Sequence, residues 1–228
     1  MNNPFYITGY ERSGTTLLRR IMSMHPSLEA DIVHEQSGKL MKASNKKSAI
    51  ECLTYSNKGL NHSILSGQKI PYISFEEMKR NLNKFSNLFP EVFVIHIVRD
   101  PVYAINSQVS TFNRKPDKCI KTYFESVPKS YEHLSLLKNS TVISYDSLTN
   151  NPIDSISTLY EWMGKEIDEN YIEKVISNAD SWEYGGRLMC GLRYHNSISC
   201  NPSELILEKE IVKKIEDKKK EYNYLWSL

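Results

Sequence analysis

The apolar positions of this chain alternate between two periods, and the switches mark its elements. Phe5-Tyr6-Ile7-Thr8 is a short apolar run that ends at Gly9, the pattern of a strand. From Thr15 to about Met24 the spacing turns helical, with Leu17, Leu18, Ile21 and Met22 on one face, and His25-Pro26 stops it. Ser74-Phe75-Glu76-Glu77 matches a capping box and starts a helix to about Leu88. Residues 92–98 are continuously apolar apart from His96, as in a parallel strand covered on both faces. Asp100-Pro101 is a cap followed by proline at the first helical position, opening a helix through about Phe112. A helix over 117–137 and a strand over 141–144 follow, and Asn151-Pro152 begins a helix that ends near Gly164. Asn201-Pro202-Ser203-Glu204 begins the last helix, with Leu207, Ile211, Ile215 and Tyr222 along one side and Lys218-Lys219-Lys220 on its solvated face. The polar stretch 39–65 has no pattern strong enough to place an element.

Strands that alternate with helices imply an α/β fold, a mostly parallel central sheet flanked by helices. With no repeat and no Gly/Ser/Pro-rich linker, residues 1–228 read as a single domain. In such sheets ligands bind beyond the carboxyl ends of the strands. Two loops therefore carry the interest, the one after Thr8 and the one after Val98. Composition narrows the partners: 40% apolar, 25% charged and a net charge of +2 leave no global field for nucleic acid or an anionic membrane. No apolar run is long enough to span a bilayer, and the N-terminal residues lack the cationic and apolar stretches of a signal peptide. Cys52, Cys119, Cys190 and Cys200 are scattered, without zinc or dithiol spacing, so free thiols in a reducing cytoplasm are expected.

Gly9-Tyr10-Glu11-Arg12-Ser13-Gly14-Thr15-Thr16 joins the first strand to the first helix. Glycines let successive N–H groups turn inward, the helix start adds partial positive charge, and hydroxyls at Thr15 and Thr16 can donate to an anion. The glycine spacing is that of a P-loop, but Thr15 stands where a nucleotide-triphosphate loop carries lysine, and an arginine appears earlier, at Arg12. That loss disfavours a small-molecule kinase, which is one alternative; a non-catalytic nucleotide-binding module is another. A second anion site is signalled by Val98-Arg99-Asp100-Pro101 with Ser107: the arginine fork ends a strand, and the serine lies about two turns into the next helix.

With Ile143-Ser144-Tyr145-Asp146-Ser147-Leu148 as a third segment, these motifs resemble the sulfotransferases that use 3′-phosphoadenosine-5′-phosphosulfate (PAPS), and the tyrosylprotein and bacterial branch most of all. The resemblance implies a P-loop-type fold. It also implies that Arg12, Ser13, Gly14, Thr15 and Thr16 hold the 5′-phosphate and the sulfate, that Arg99 and Ser107 hold the 3′-phosphate, and that Tyr145 lies at the adenosine end.

Sulfuryl transfer needs a deprotonated acceptor hydroxyl, a cation on the sulfuryl oxygens, and help for the departing phosphate. A cation can meet the leaving oxygen directly, so no metal is expected. By resemblance, Glu35 is the general base, with His34 and Glu29 as rivals. Lys69, in Lys69-Ile70-Pro71, is assigned to the leaving-group or sulfuryl oxygens, and Arg12 shares that role. Gly185-Gly186-Arg187, with Arg193 and His195, is either a loop that closes over the nucleotide or a plain connection. The expected partner is a small-molecule or glycan hydroxyl acceptor. Its pocket is expected near 36–66, 113–118 and 183–200, where Tyr55, Phe112, Trp182, Tyr184 and Tyr194 suit a sugar, a phenol, a lipid-like alcohol or a tyrosine.

Overall fold

A computed structural model of the protein describes residues 4–25, 27–30, 42–49, 65–165, 171 and 204–225. In chain order the elements are β1 (Phe5–Gly9), α1 (Thr15–Met24), β2 (Leu28–Ala30), β3 (Leu65–Lys69), α2 (Phe75–Leu88), β4 (Phe93–Val98), α3 (Pro101–Phe112), α4 (Pro116–Ser135), β5 (Ser140–Ser144), α5 (Tyr145–Asn150), α6 (Pro152–Trp162) and α7 (Lys209–Lys219). A 3-10 turn over Lys220–Leu225 follows. The five strands form one sheet in the order β2-β3-β1-β4-β5, and every pairing is parallel.

Side chains alternate across a strand, and the two faces of this sheet bury two separate cores. Phe5, Ile7, Ile95, Ile97 and Ile143 point to one face, against Leu18, Ile21 and Met22 of α1 and Ile156, Leu159 and Tyr160 of α6. Tyr6, Val94 and Val98 point to the other, against Phe85 of α2, Ile105 of α3, Tyr123 and Val127 of α4 and Ile215 of α7. The continuous apolar run of β4 thus reflects burial on both faces.

The strand order sets the position of the site. After β1 the chain leaves through α1 toward β2 on one side of the sheet, whereas after β4 it leaves through α3 and α4 toward β5 on the other. β1 and β4 are neighbours, with Gly9 opposite Ile97, so their two exit loops part in opposite directions and open a crevice between them. Beyond the strand ends, Tyr72 donates to the Gly9 carbonyl at 3.0 Å and Glu11 donates to the Tyr72 carbonyl at 2.9 Å, which extends the sheet into the loop.

Several elements differ from the sequence expectation. The last helix does not begin at Glu204: residues 204–206 have no regular secondary structure and α7 starts at Lys209. The buried amide of Asn106 donates to the Glu204 carbonyl at 3.0 Å and accepts from the Ile206 N–H at 2.9 Å. It acts as a strand partner, and this tertiary contact outweighs the Pro-Ser-Glu capping signal. Lys219 is not on a solvated face either; it is hydrogen-bonded to Asp100. β2 and β3 lay hidden because three residues carry no period, and Leu-Ser-Gly-Gln-Lys carries no β-branched run.

Candidate functional site

The first loop curls as its glycines allow. Gly14, the residue before α1, has φ of 97°, and a Cβ there would lie 2.3 Å from Cδ2 of Tyr145. Only glycine fits, for both reasons. Arg12 also sits in the left-handed region, with φ of 74°, a conformation that costs a non-glycine residue about 1–2 kcal/mol. No side chain among the described residues caps α1, whereas Ser74 caps α2 and Asp100 caps α3. The first N–H groups of α1 therefore face the crevice bare, at the positive end of the helix dipole.

Four side chains gather at this helix start: Ser13, Thr15, Thr16 and Lys69. Ser13 is fully buried, and its hydroxyl has no hydrogen-bond partner among the described residues. Thr15 is buried in the first turn. The buried Lys69, at the end of β3, donates from its ammonium to the Thr16 hydroxyl at 3.1 Å. The loop lacks the lysine of a triphosphate loop, yet a lysine from another strand reaches its first helical turn.

The second loop adjoins the first. The Arg99 guanidinium donates from Nη1 to the Arg12 carbonyl at 3.2 Å and lies 4.2 Å above the Tyr145 ring. Its Nε is buried and without a partner among the described residues. Arg12 donates from Nε to the Ser107 hydroxyl at 2.9 Å, so this side chain reaches across to the second anion site. Arg12, Arg99 and Ser107 therefore converge, and Tyr145 packs between Gly14 and Arg99.

Residues that carried no sequence signal brace this arrangement. Tyr123 donates its phenol to the Arg99 carbonyl; burial first, then nearby phenol and carboxylate charges, hold its pKa well above the ordinary value and keep it a donor. Arg114 pairs with Glu11 of the first loop at 2.5 Å and lies 4.7 Å from the Phe112 ring, which Arg12 flanks at 5.9 Å. Gln108 donates to the Glu11 carbonyl at 3.4 Å. Apart from Arg114 on Phe112, these contacts join positions far apart in the chain, where neither period nor spacing could reveal them. Glu35, His34, Tyr55, Trp182, Tyr184, Gly185, Gly186, Arg187, Arg193, Tyr194 and His195 lie outside the described residues, as does the side chain of Glu29.

A sulfotransferase domain model matches residues 2–184 of the chain. The chain belongs to the sulfotransferase family. Solved structures agree in fold. The sulfotransferase domain from the Curacin biosynthetic pathway superposes with a TM-score of 0.65 at 18% identity, covering 98% of each chain. Mouse sulfotransferase SULT7A1, complexed with PAP, gives a TM-score of 0.63 at 12% identity, covering 97% of this chain and 84% of its own. Retinol dehydratase, in complex with androsterone and inactive cofactor PAP, gives 0.57 at 14%, covering 96% and 80%. No curated protein sequence matches the chain. In this sulfotransferase, the loops after β1 and β4 adjoin through Arg12 and Arg99. Family membership also removes the kinase alternative. Among the described residues no helix is long and apolar enough to cross a membrane.

Proposed function

We propose that this sulfotransferase transfers the sulfuryl group of PAPS, in line, to the hydroxyl of a small-molecule or glycan acceptor. The observation that carries the reading is the convergence of Arg12, Arg99 and Ser107 beside an uncapped helix start, at the carboxyl ends of two adjacent strands. The residues fit a doubly phosphorylated adenosine: Ser13 Oγ and Arg99 Nε are buried polar atoms with no partner among the described residues, one in each loop. The donor supplies the sulfuryl group. The N–H groups of the first turn of α1, with Ser13, Thr15 and Thr16, hold the 5′-phosphosulfate, and Arg99 and Ser107 hold the 3′-phosphate. The face of Tyr145 offers the adenosine a stacking surface.

Lys69 and Arg12 supply positive charge where the bond from sulfur to the bridging oxygen breaks. Lys69 is held by Thr16 at the head of that phosphate site, and this contact supports the role. Arg12 shares that role from the phosphate loop itself, and its hydrogen bond to Ser107 ties the loop to the second anion site. Glu35 takes the proton of the acceptor hydroxyl as the new oxygen–sulfur bond forms. The branch nearest the tyrosylprotein enzymes is proposed on the loop sequence alone. A reducing cytoplasm suits the buried free thiol of Cys119, and one sulfotransferase domain over 1–228 is the matching organisation.

The test is transfer of labelled sulfate from PAPS across a panel of sugars, phenols, alcohols and tyrosine peptides. Calorimetry with 3′-phosphoadenosine 5′-phosphate accompanies it. Product with at least one hydroxyl class is expected. Lys69→Met is expected to lower kcat by about 100-fold and Glu35→Gln by about 100-fold, with the nucleotide still bound. Tight nucleotide binding without transfer to any acceptor would mean a binding module instead.

A further inference from the structure

Beside Arg99, on the side away from the first loop, a cavity of about 510 Å³ is lined by Asp100, Asp146, Ser147 and Asn150 together with Arg99 and Lys219. Two carboxylates border a site that has to bind an anion. Asp100 caps α3, accepting from the Val102 N–H at 2.8 Å, and Asp146 accepts from the Asp100 N–H at 3.3 Å. Both acids are fixed by the backbone and cannot swing away. A guanidinium that lines the same cavity as two held carboxylates would ordinarily pair with one of them. Arg99 pairs with neither among the described residues; it lies on Tyr145 and donates to the Arg12 carbonyl. The cation that does meet Asp100 is Lys219, which comes from the far end of the chain at the last residue of α7.

α7 is anchored to this spot independently of the lysine. Ile215 is fully buried in the core beneath α3 and α4, and Leu225, at the end of the following turn, is fully buried as well. Lys219 is partly buried and lies 3.9 Å from Glu216. Burial pulls its pKa down, but the hydrogen bond to Asp100 and the charges of Asp100, Glu216 and Asp146 outweigh burial and raise it. It stays charged at neutral pH.

We propose that Lys219 is a positioning residue for the nucleotide: by occupying Asp100 and offsetting Asp146, it leaves the Arg99 guanidinium free for the 3′-phosphate. This rests on the reading of Arg99 as the 3′-phosphate ligand. Without Lys219, an uncompensated carboxylate beside Arg99 competes with the phosphate for the same fork and repels it. The C-terminal helix is thus part of the donor site without touching the donor.

The experiment compares the binding of 3′-phosphoadenosine 5′-phosphate with that of adenosine 5′-phosphate, which lacks the 3′-phosphate, by calorimetry on the full chain. Lys219→Met is expected to weaken the first by about tenfold and to leave the second within about twofold. Lys219→Arg restores the first. In the Lys219→Met background, Asp100→Asn removes the stranded charge while an asparagine still caps α3, and is expected to recover most of the lost affinity. In turnover, Lys219→Met raises KM for PAPS and leaves kcat near its original value. Equal weakening of both nucleotides, or no recovery with Asp100→Asn, overturns the proposal in favour of a purely structural lysine. Should Lys219→Met fail to fold, the neutral pair Lys219→Met with Asp100→Asn carries the test, and a large selective loss of affinity in that variant overturns it. Arg99→Met separates the two readings. If it fails to discriminate between the nucleotides, the 3′-phosphate assignment itself is wrong; if it discriminates and Lys219→Met does not, only the role of Lys219 falls.

Discussion

The two loops that meet in the crevice are built in different ways. The loop after β1 is mainly backbone: glycine at 14, a left-handed turn at Arg12 and the bare start of α1 make its anion cradle. The end of β4 is built of side chains, with Arg99 laid on Tyr145, its carbonyl held by Tyr123, and the adjoining Asp100 paired with Lys219. A cradle of backbone dipoles needs few particular side chains, but it tolerates almost no added atom. A cradle of side chains tolerates change in the backbone but depends on distant residues to hold and neutralise its neighbours. The two are linked through Tyr145, which touches Gly14 on one side and Arg99 on the other.

The largest effect is expected where that link is struck. Gly14→Ala places a methyl into the Tyr145 ring and a side chain at φ of 97°, so it disturbs both cradles together. Binding of 3′-phosphoadenosine 5′-phosphate and of adenosine 5′-phosphate should both fall by about 100-fold, with a stability loss of about 2 kcal/mol by chemical denaturation. Selective loss of one nucleotide would show that the cradles are independent.

A smaller and one-sided effect is expected at Ser107. Ser107→Ala removes the hydroxyl that Arg12 donates to, and with it the donor proposed for the 3′-phosphate. Affinity for 3′-phosphoadenosine 5′-phosphate should fall by about tenfold and that for adenosine 5′-phosphate by about twofold or less, measured side by side. Equal losses would place Ser107 with the first cradle.

The smallest effect concerns the strand beneath both loops. His96 of β4 lies opposite Thr8 of β1, fully buried, with its Nε2 3.0 Å from the Tyr72 hydroxyl. Burial lowers its pKa to about 3. Between the unfolded value near 6.5 and this folded value, the unfolded chain binds more protons. Stability is therefore full above about pH 6.5 and is lost progressively as pH falls toward 3. His96→Gln, which still offers Tyr72 a partner, should flatten that slope with little change at pH 7, as seen by melting curves across the range. An unchanged slope would assign acid sensitivity to other groups.

Much of the sheet was legible because burial on both faces writes itself into composition. Residues 93–98 read as a strand for that reason, and Asp100-Pro101 and Ser74-Phe75-Glu76-Glu77 announced their helices through local capping chemistry. β3 was not legible, since Ser66, Gly67 and Gln68 take their strand geometry from pairing with β2 and β1. The start of α7 is not legible either, because Asn106, some hundred residues earlier, ties down the backbone of Glu204 and Ile206.

The same division runs through the site. The candidate anion-binding residues were written locally, in a glycine-bounded loop and in an arginine at the end of an apolar strand, because those features act within a few bonds of their own backbone. How the two sites adjoin, why Arg99 is left free of Asp100 and Asp146, and how Lys69 reaches Thr16 were decided only in three dimensions. Strand order and helix docking set these distances, and no local period of the chain encodes them.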